Sequence, residues 1–221
     1  NGRGGAAFPT GIKMQTVFDQ EAKTKYVACN ADEGDGGTFS DRLIMECDPF
    51  SLIEGMTIAA YSVGASHGYI YLRSEYPLAK YFLTEAIQTL KSSNLLGKNI
   101  LGKNFAFDIE LRIGAGSYVC GEETAMMESI EGKRGLVRSK PPLPAIKGLF
   151  SKPTLINNVI TLASMSAILL QGKEIFSQFG SGKSLGTMPY QLCGNIKQGG
   201  LIEVPFGITL NEMIYDYGAG T

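Results

Sequence analysis

The apolar residues of this chain come in short runs separated by glycine, proline and acidic turns, and their spacing alternates between two periods. Residues 25–30 cluster Val27, Ala28 and Cys29 into a buried strand that ends at a polar turn. Residues 68–73 alternate apolar positions with tyrosines, and residues 108–113 set Ile109, Leu111 and Ile113 two apart, so both predict strands. Between them the period lengthens. Residues 41–46 predict a helical turn, and Pro49 suits the first position of a helix reaching about Val63. Residues 76–90 place Ala79, Leu83, Ala86, Ile87 and Leu90 on one helical face. A further helix follows the loop 114–124, ending near Ile130.

Strands alternating with helices imply an α/β layer with substantial parallel pairing. In such sheets the strand ends that feed helices line the ligand crevice. The acidic turn 30–38 and the loop 114–124 both lie at such ends, which predicts one shared site. Residues 141–144, Pro-Pro-Leu-Pro, are stiff and extended. Asn157 and Asn158 precede the apolar run 159–170; one suits the helix N-cap, leaving the other side chain for a ligand. After a Gly/Ser-rich linker at 177–183, residues 188–193 and 201–204 predict two strands joined at Gly199-Gly200. Residues 210–217 then predict a helix with Leu210, Ile214 and Tyr217 on one face. The expected division is a domain at 1–176 and a partial α/β domain at 184–221, without internal repeats.

Hydrophobic content of 44% is ample for a core, and a net charge of −1 without charge runs argues against nucleic-acid or membrane binding by bulk charge. The apolar runs are too short to span a bilayer. The chain opens inside a glycine loop with no leader pattern and is expected to be part of a longer polypeptide. Cys29, Cys47, Cys120 and Cys193 form no C-x-x-C pair, so they read as buried reduced thiols rather than metal or cluster ligands. The single histidine, His67, reads as a surface turn residue, and one histidine leaves little for a hydrolytic triad.

The richest chemistry is in Gly2-Arg3-Gly4-Gly5-Ala6-Ala7-Phe8-Pro9-Thr10-Gly11-Ile12-Lys13. Glycines let backbone N–H groups approach an anion, Arg3 and Lys13 add positive charge, and Phe8 offers a flat apolar face. Phosphate plus planar ring is the outline of a nucleotide. Gly2-x-Gly4-x-x-Ala7 matches the dinucleotide fingerprint formally, but that motif needs an uninterrupted helix after it, and Pro9 and Gly11 are expected to interrupt one. The carboxylates Asp32, Glu33, Asp35, Glu122 and Glu123 are the second feature. The segment is too glycine-rich for a calcium loop. Glu122 and Glu123 either favour a helix N-terminus electrostatically or recognise ribose hydroxyls and an amide.

Five ordered motifs then carry a resemblance: the opening loop, Asn30-Ala31-Asp32-Glu33, Gly114-Ala115-Gly116-x-Tyr118-x-Cys120-Gly121-Glu122-Glu123-Thr124, Arg138-Ser139-Lys140-Pro141-Pro142, and Asn157-Asn158-Val159. The chain resembles, over nearly its whole length, the NADH- and FMN-binding flavoprotein subunits. These comprise the complex I 51 kDa subunit, the diaphorase subunit of NAD-reducing hydrogenases and the beta subunit of NAD-dependent formate dehydrogenases. The resemblance implies a Rossmann-like FMN-binding α/β domain followed by the start of a β-grasp, soluble-ligand-binding domain. It implies FMN contacts from Gly2, Arg3, Gly4, Lys13, Asn30, Asp32, Tyr118, Gly121, Glu122, Asn157, Asn158 and Thr161. NADH contacts would come from Phe8, Glu33, Asp35, Glu123 and Lys140.

The activity so implied is an FMN-dependent NADH dehydrogenase module, in which hydride passes between cofactors and no side chain is the catalyst. Reduced FMN would feed iron–sulfur clusters. The family's 4Fe–4S ligands are absent from this chain, and the implied partner is an iron–sulfur subunit of the 24 kDa type. The expected location is cytoplasmic, with any membrane association through partner subunits. Asp35 replaces the Glu usual in complex I, and Leu143 stands where many relatives carry an adenine-stacking Phe; both lean towards the formate dehydrogenase beta subunit. A leucine there forfeits aromatic stacking worth about 0.5–1.5 kcal/mol. The competing expectations are a scaffold or nucleotide-binding subunit that has lost its flavin, and a flavin-free NAD dehydrogenase.

Overall fold

In the computed structural model, which describes residues 1–221, four parallel strands form the central sheet. They are β1 (Tyr26–Ala31), β2 (His67–Leu72), β3 (Asp108–Ile113) and β4 (Thr154–Asn158), in the order β3-β2-β1-β4. Strand β1 is central. The chain runs outward on one side through β2 and β3, then returns to pair β4 on the other, so the order reverses between β1 and β4. Crevices open at such reversals, outside the carboxyl ends of the strands. Register places Asn30 beside Asn158 and Cys29 beside Asn157 at that edge.

Alternation along the strands builds two apolar layers. Val27, Cys29 and Ala31 of β1 join Ile70 and Leu72 of β2 beneath helices α1 (Thr10–Phe18), α2 (Ser40–Cys47), α3 (Pro49–Val63) and α4 (Pro77–Ser92). Ala28, Tyr71 and Ile156 face the other way, against Met126, Met127 and Ile130 of α5 (Glu123–Ile130) and Leu149, which follows the short helix α6 (Pro144–Lys147). Helix α7 (Val159–Gln171) follows β4 directly and packs with α3 in the first layer. The two helices cross so closely that a Cβ on Gly55 would stand 1.9 Å from the Leu162 carbonyl oxygen.

The strands and helices expected around the first three strands are present, with ends displaced by a residue or two. Helix α1 corrects one expectation. Pro9 does not interrupt it but precedes its first residue, where no N–H is needed, and Gly11 sits in its first turn. Strand β4 is an addition to the elements the sequence predicts, because its two closing asparagines read only as the head of the following helix. Asn158 is nonetheless the N-cap of α7, accepting from the N–H groups of Ile160 and Thr161. The proline stretch corrects another expectation: the chain bends over residues 140–142, where the Lys140–Pro141 and Pro141–Pro142 bonds are cis, and only Leu143 is extended before Pro144 starts α6.

Beyond α7 come the short helix α8 (Lys173–Ser177), a two-residue hairpin of β5 (Gly180–Ser181) and β6 (Ser184–Leu185), and an antiparallel hairpin of β7 (Thr187–Leu192) and β8 (Gly200–Pro205). The stretch 177–183 expected as a plain linker therefore contains β5, the first strand of the β5–β6 hairpin. The last helix is a single turn, α9 (Leu210–Glu212), with a Thr209–Glu212 capping box, running into a wider π turn over Met213–Tyr217. Its expected face is only partly covered: Leu210 and Tyr217 are exposed, Ile214 is half-buried, and Met213 is the buried apolar residue. The thiols also divide. Cys29 and Cys120 are buried as expected, whereas Cys47 and Cys193 are exposed. His67 is an exposed residue at the start of β2 whose Nδ1 lies 2.8 Å from Ser66 Oγ. No helix is long and apolar enough to cross a membrane.

Candidate functional site

A cavity of about 420 Å3 lies at the strand-order reversal, a size suited to small-molecule sites. Its walls come from the opening loop, α1, the ends of β1 and β4, the head of α5, the proline stretch and the head of α7. Gly2, Gly4, Phe8, Lys13, Asn30, Gly121, Glu122, Glu123, Lys140, Asn157, Asn158 and Thr161 all line it. Segments far apart in sequence thus converge on one space.

The opening loop is folded back on itself by a 2.9 Å bond from the Gly2 N–H to the Phe8 carbonyl. Gly4 lies flat against Asn158, where a Cβ would come within 3.2 Å of the Asn158 Cβ. The Arg3 N–H donates to Thr161 Oγ1 at 2.8 Å, tying the loop to α7. The Arg3 guanidinium, however, leaves the cavity: it donates to the Leu185 carbonyl at 3.0 Å and sits 4.5 Å above the Phe206 ring. Lys13 reaches inward from α1 and donates to the Ile156 carbonyl at 2.8 Å. Burial pulls its pKa below the usual lysine value, against the attraction of Glu123 and with the repulsion of Lys140.

At the end of β1, Asn30 Nδ2 donates to the Gly121 carbonyl at 2.8 Å, joining the two acidic segments. Asp32 packs beneath Gly121 rather than on the wall. Burial raises its pKa, while Arg73 opposes the rise. Glu33 is also off the wall. Its carboxylate accepts from Ser40 Oγ, the N–H groups of Asp41 and Arg42, and the Tyr76 hydroxyl, at 2.9–3.3 Å. It therefore caps the start of α2 from outside that helix. Asp35 accepts from the Tyr118 hydroxyl at 2.7 Å, and the Tyr118 ring lies against Gly34, both outside the cavity lining.

Glu122 is the N-cap of α5, accepting from the N–H groups of Thr124 and Ala125 and from Thr124 Oγ1. Burial pushes its pKa up, but these bonds and Lys140 outweigh it and hold the carboxyl below its ordinary value. Lys140 Nζ bridges Glu123 Oε1 at 2.6 Å and Glu122 Oε1 at 3.2 Å. Burial lowers the Lys140 pKa, yet the two glutamates turn the net shift upward.

On β4, Asn157 is buried and its Nδ2 has no hydrogen-bond partner. A buried amide donor left unpaired costs roughly 1–3 kcal/mol, so this atom calls for an acceptor from outside the chain. With the Lys13 ammonium and a glycine loop close by, the donor set fits an anionic, hydrogen-bond-accepting nucleotide. Phe8, half exposed, and the Ile156, Ala145 and Leu143 side chains supply apolar wall for a flat ring. In chemistry these groups suit FMN, which joins a phosphate to a flat ring. Ala6, Ala7, Thr16, Pro144, Ala145, Thr154 and Ile156 also line the cavity. Sequence reasoning misses them because small and aliphatic residues carry no chemical signature. No group of three or more His, Cys, Asp or Glu side chains is placed to hold a metal ion.

Residues 1–167 match the family model described as the Nuo51 FMN-binding domain. The NADP-reducing hydrogenase subunit HndC of Solidesulfovibrio fructosivorans is 52% identical over 219 residues, covering 99% of this chain and 44% of that protein. An NADH-quinone oxidoreductase subunit of Escherichia coli (strain K12) is 46% identical over 220 residues, covering 99% of this chain and 49% of the relative. The chain spans about half the length of the curated relatives it matches. Among solved structures, an NAD+-reducing NiFe hydrogenase in the H2-reduced state superposes with a TM-score of 0.90 at 37% identity, over 96% of this chain and 36% of that one.

Proposed function

The chain belongs to the Nuo51 FMN-binding domain family, and we propose that it is the flavoprotein, or diaphorase, module of a larger redox complex. In this reading it passes hydride between NAD(H) and FMN and exchanges electrons with iron–sulfur clusters on partner subunits in the cytoplasm. The observation that carries the reading is the buried, unpaired Asn157 Nδ2 in a cavity that also holds Lys13 and the glycine loop.

Gly2, Gly4, Lys13, Asn30, Gly121, Glu122, Asn157, Asn158 and Thr161 would hold FMN. Phe8, Glu123 and Lys140, beside them on the wall, would take the nicotinamide nucleotide. Bound FMN supplies a two-electron hydride acceptor that can release its electrons singly. The chain's own work is placement. Gly4 lets the ligand approach the backbone, Lys13 offsets phosphate charge in a partly dry setting, and the apolar wall keeps water from the ring faces. The Lys140–Glu123 pair holds two hydrogen-bonding groups ready for a carboxamide or ribose.

Arg3, Asp32, Glu33, Asp35 and Tyr118 serve this reading indirectly, by holding the segments that reach the cavity. The β7–β8 hairpin and the final turn support a β-grasp unit after residue 184. Names of relatives favour a hydrogenase or quinone oxidoreductase setting, whereas Asp35 and Leu143 favour a formate dehydrogenase beta branch. Formate-driven reduction of NAD+ by the assembled complex tests the second alternative.

The central test is flavin titration of the purified protein, followed by NADH oxidation with an artificial electron acceptor. Quenching of FMN fluorescence with recovery of NADH oxidation is expected. A protein that neither carries nor takes up FMN would be a scaffold subunit, and the proposal would be wrong.

A further inference from the structure

Asn158 stands at the junction of three elements, and every strong bond it makes is internal. Its Oδ1 caps α7 through the N–H groups of Ile160 and Thr161. Its Nδ2 donates at 2.7 Å to Oδ2 of Asp41, on α2. Only one N–H of the amide then remains for a ligand. Asp41 is buried, and its other oxygen, Oδ1, has no partner. A buried carboxylate with one orphan oxygen is costly, so a purely structural packing role is a poor account of it.

The backbone from which the Asp41 carboxylate projects is held in turn, its N–H donating to Glu33 at 2.9 Å. Glu33 is in turn held by the Tyr76 hydroxyl of α4 at 3.0 Å. A continuous chain of bonds therefore runs from Tyr76 through Glu33, Asp41 and Asn158 to the head of α7. There Thr161 Oγ1 receives the Arg3 N–H of the glycine loop. Asn158 and Thr161 line the cavity, whereas Asp41 and Glu33 do not.

We propose that Asp41 is a positioning residue for the flavin site: its carboxylate fixes the orientation of the Asn158 amide and, through α7, the seat of the glycine loop. The inference rests on the reading of this cavity as the FMN site. It assigns a role to a residue with no ligand contact of its own. What matters at position 41 is an acceptor for Asn158 Nδ2, and not the charge.

The test measures FMN dissociation constants by fluorescence quenching, with melting temperatures in parallel, for the intact protein and its Asp41→Asn, Asp41→Leu and Asp41→Ala variants. Asp41→Asn keeps an acceptor oxygen and is expected to bind FMN within about threefold of wild type, even if its melting temperature changes. Asp41→Leu and Asp41→Ala are expected to lose about tenfold or more, in line with one lost hydrogen bond in a ligand-positioning chain. In an Asp41→Leu/Asn158→Ala double variant the losses should fall well short of additive, because the two act through one bond. Wild-type affinity in the leucine variant, or additive losses, would overturn the proposal. Failure of both removal variants to fold while Asp41→Asn folds would assign Asp41 to the core and overturn it too. If the wild-type protein binds no FMN, the reading of the cavity fails as well, which separates that outcome from a failure of Asp41 alone.

Discussion

Lys140 and Glu123 meet at 2.6 Å on the wall of the cavity, one from the proline stretch and one from the first turn of α5. Both side chains are about one-third exposed, so the pair contributes little to folding; surface pairs are worth about 0–1 kcal/mol. Its position suggests a different use. Glu123→Ala and Lys140→Met are expected to shift the melting temperature by no more than about 4 °C. The KM for NADH should rise several-fold while FMN content is unchanged. Steady-state kinetics with an artificial acceptor checks this, and an unchanged KM would reduce Glu123 to a helix-terminus residue.

Asn157 predicts a trade between stability and binding. Replacing it with leucine removes the unpaired buried amide, and the flavin-free protein is expected to gain about 1 kcal/mol. The same change removes the donor that a bound nucleotide would use, so FMN affinity should fall about tenfold or more. Melting curves without flavin and fluorescence titration with it read the two arms. A variant that loses stability and keeps affinity would contradict the assignment of Asn157 to the ligand.

Asp41 predicts a pH dependence with a definite sign. Burial, then the nearby Glu33 carboxylate, push its pKa up to about 7, against the Asn158 amide and the Ile160 N–H; the buried Cys29 thiol is its other titratable neighbour. In the unfolded chain an aspartate ionises near pH 4. Between about pH 4 and 7 the folded protein holds the extra proton, so stability falls as pH rises through that window. Asp41→Asn removes this loss. It is expected to be more stable than wild type by about 2 kcal/mol or more at pH 8, with the difference vanishing near pH 4. Parallel melting curves at both pH values would refute it.

Gly55 predicts a packing failure at the crossing of α3 and α7, beside the cavity residue Thr161. A methyl group there would meet the Leu162 carbonyl oxygen at 1.9 Å, a backbone atom that cannot swing aside. Gly55→Ala is expected to cost about 3 kcal/mol and to lower the melting temperature by roughly 6–12 °C. Since α7 carries Asn158 and Thr161, FMN affinity should fall with it. Urea or thermal unfolding checks the first effect, and a wild-type melting curve would show that the helices can separate at no cost.

Much of the site is legible in the residues alone. Gly2, Gly4, Lys13, Asn157 and Asn158 announce themselves because an anion-binding loop and paired asparagines need those residue types wherever they occur. The carboxylates are harder. Glu33 and Glu123 sit in equally polar, glycine-flanked segments. Yet Glu33 is consumed by four donors around the start of α2, while Glu123 stays on the wall beside Lys140. Asp41 gives no sign at all, since an aspartate near a helix start is ordinary in sequence. Arg3 is expected to meet phosphate, and its guanidinium instead crosses to Phe206 and the Leu185 carbonyl.

What the sequence determined by itself was the local grammar: the start of α3 at Pro49, an asparagine cap for α7, the alternation of strand and helix, and the glycine loop. These follow from backbone conformation and hydrogen bonding within a few residues, which neighbours in sequence control. Only the tertiary structure decided that β4 pairs with β1, and that choice brings Asn30, Asn157 and Asn158 to one crevice. It also decided which charges were spent on the interior and which were left to a ligand. That division depends on competition among donors and acceptors scattered across the chain, settled by how each pair escapes water when the layers close.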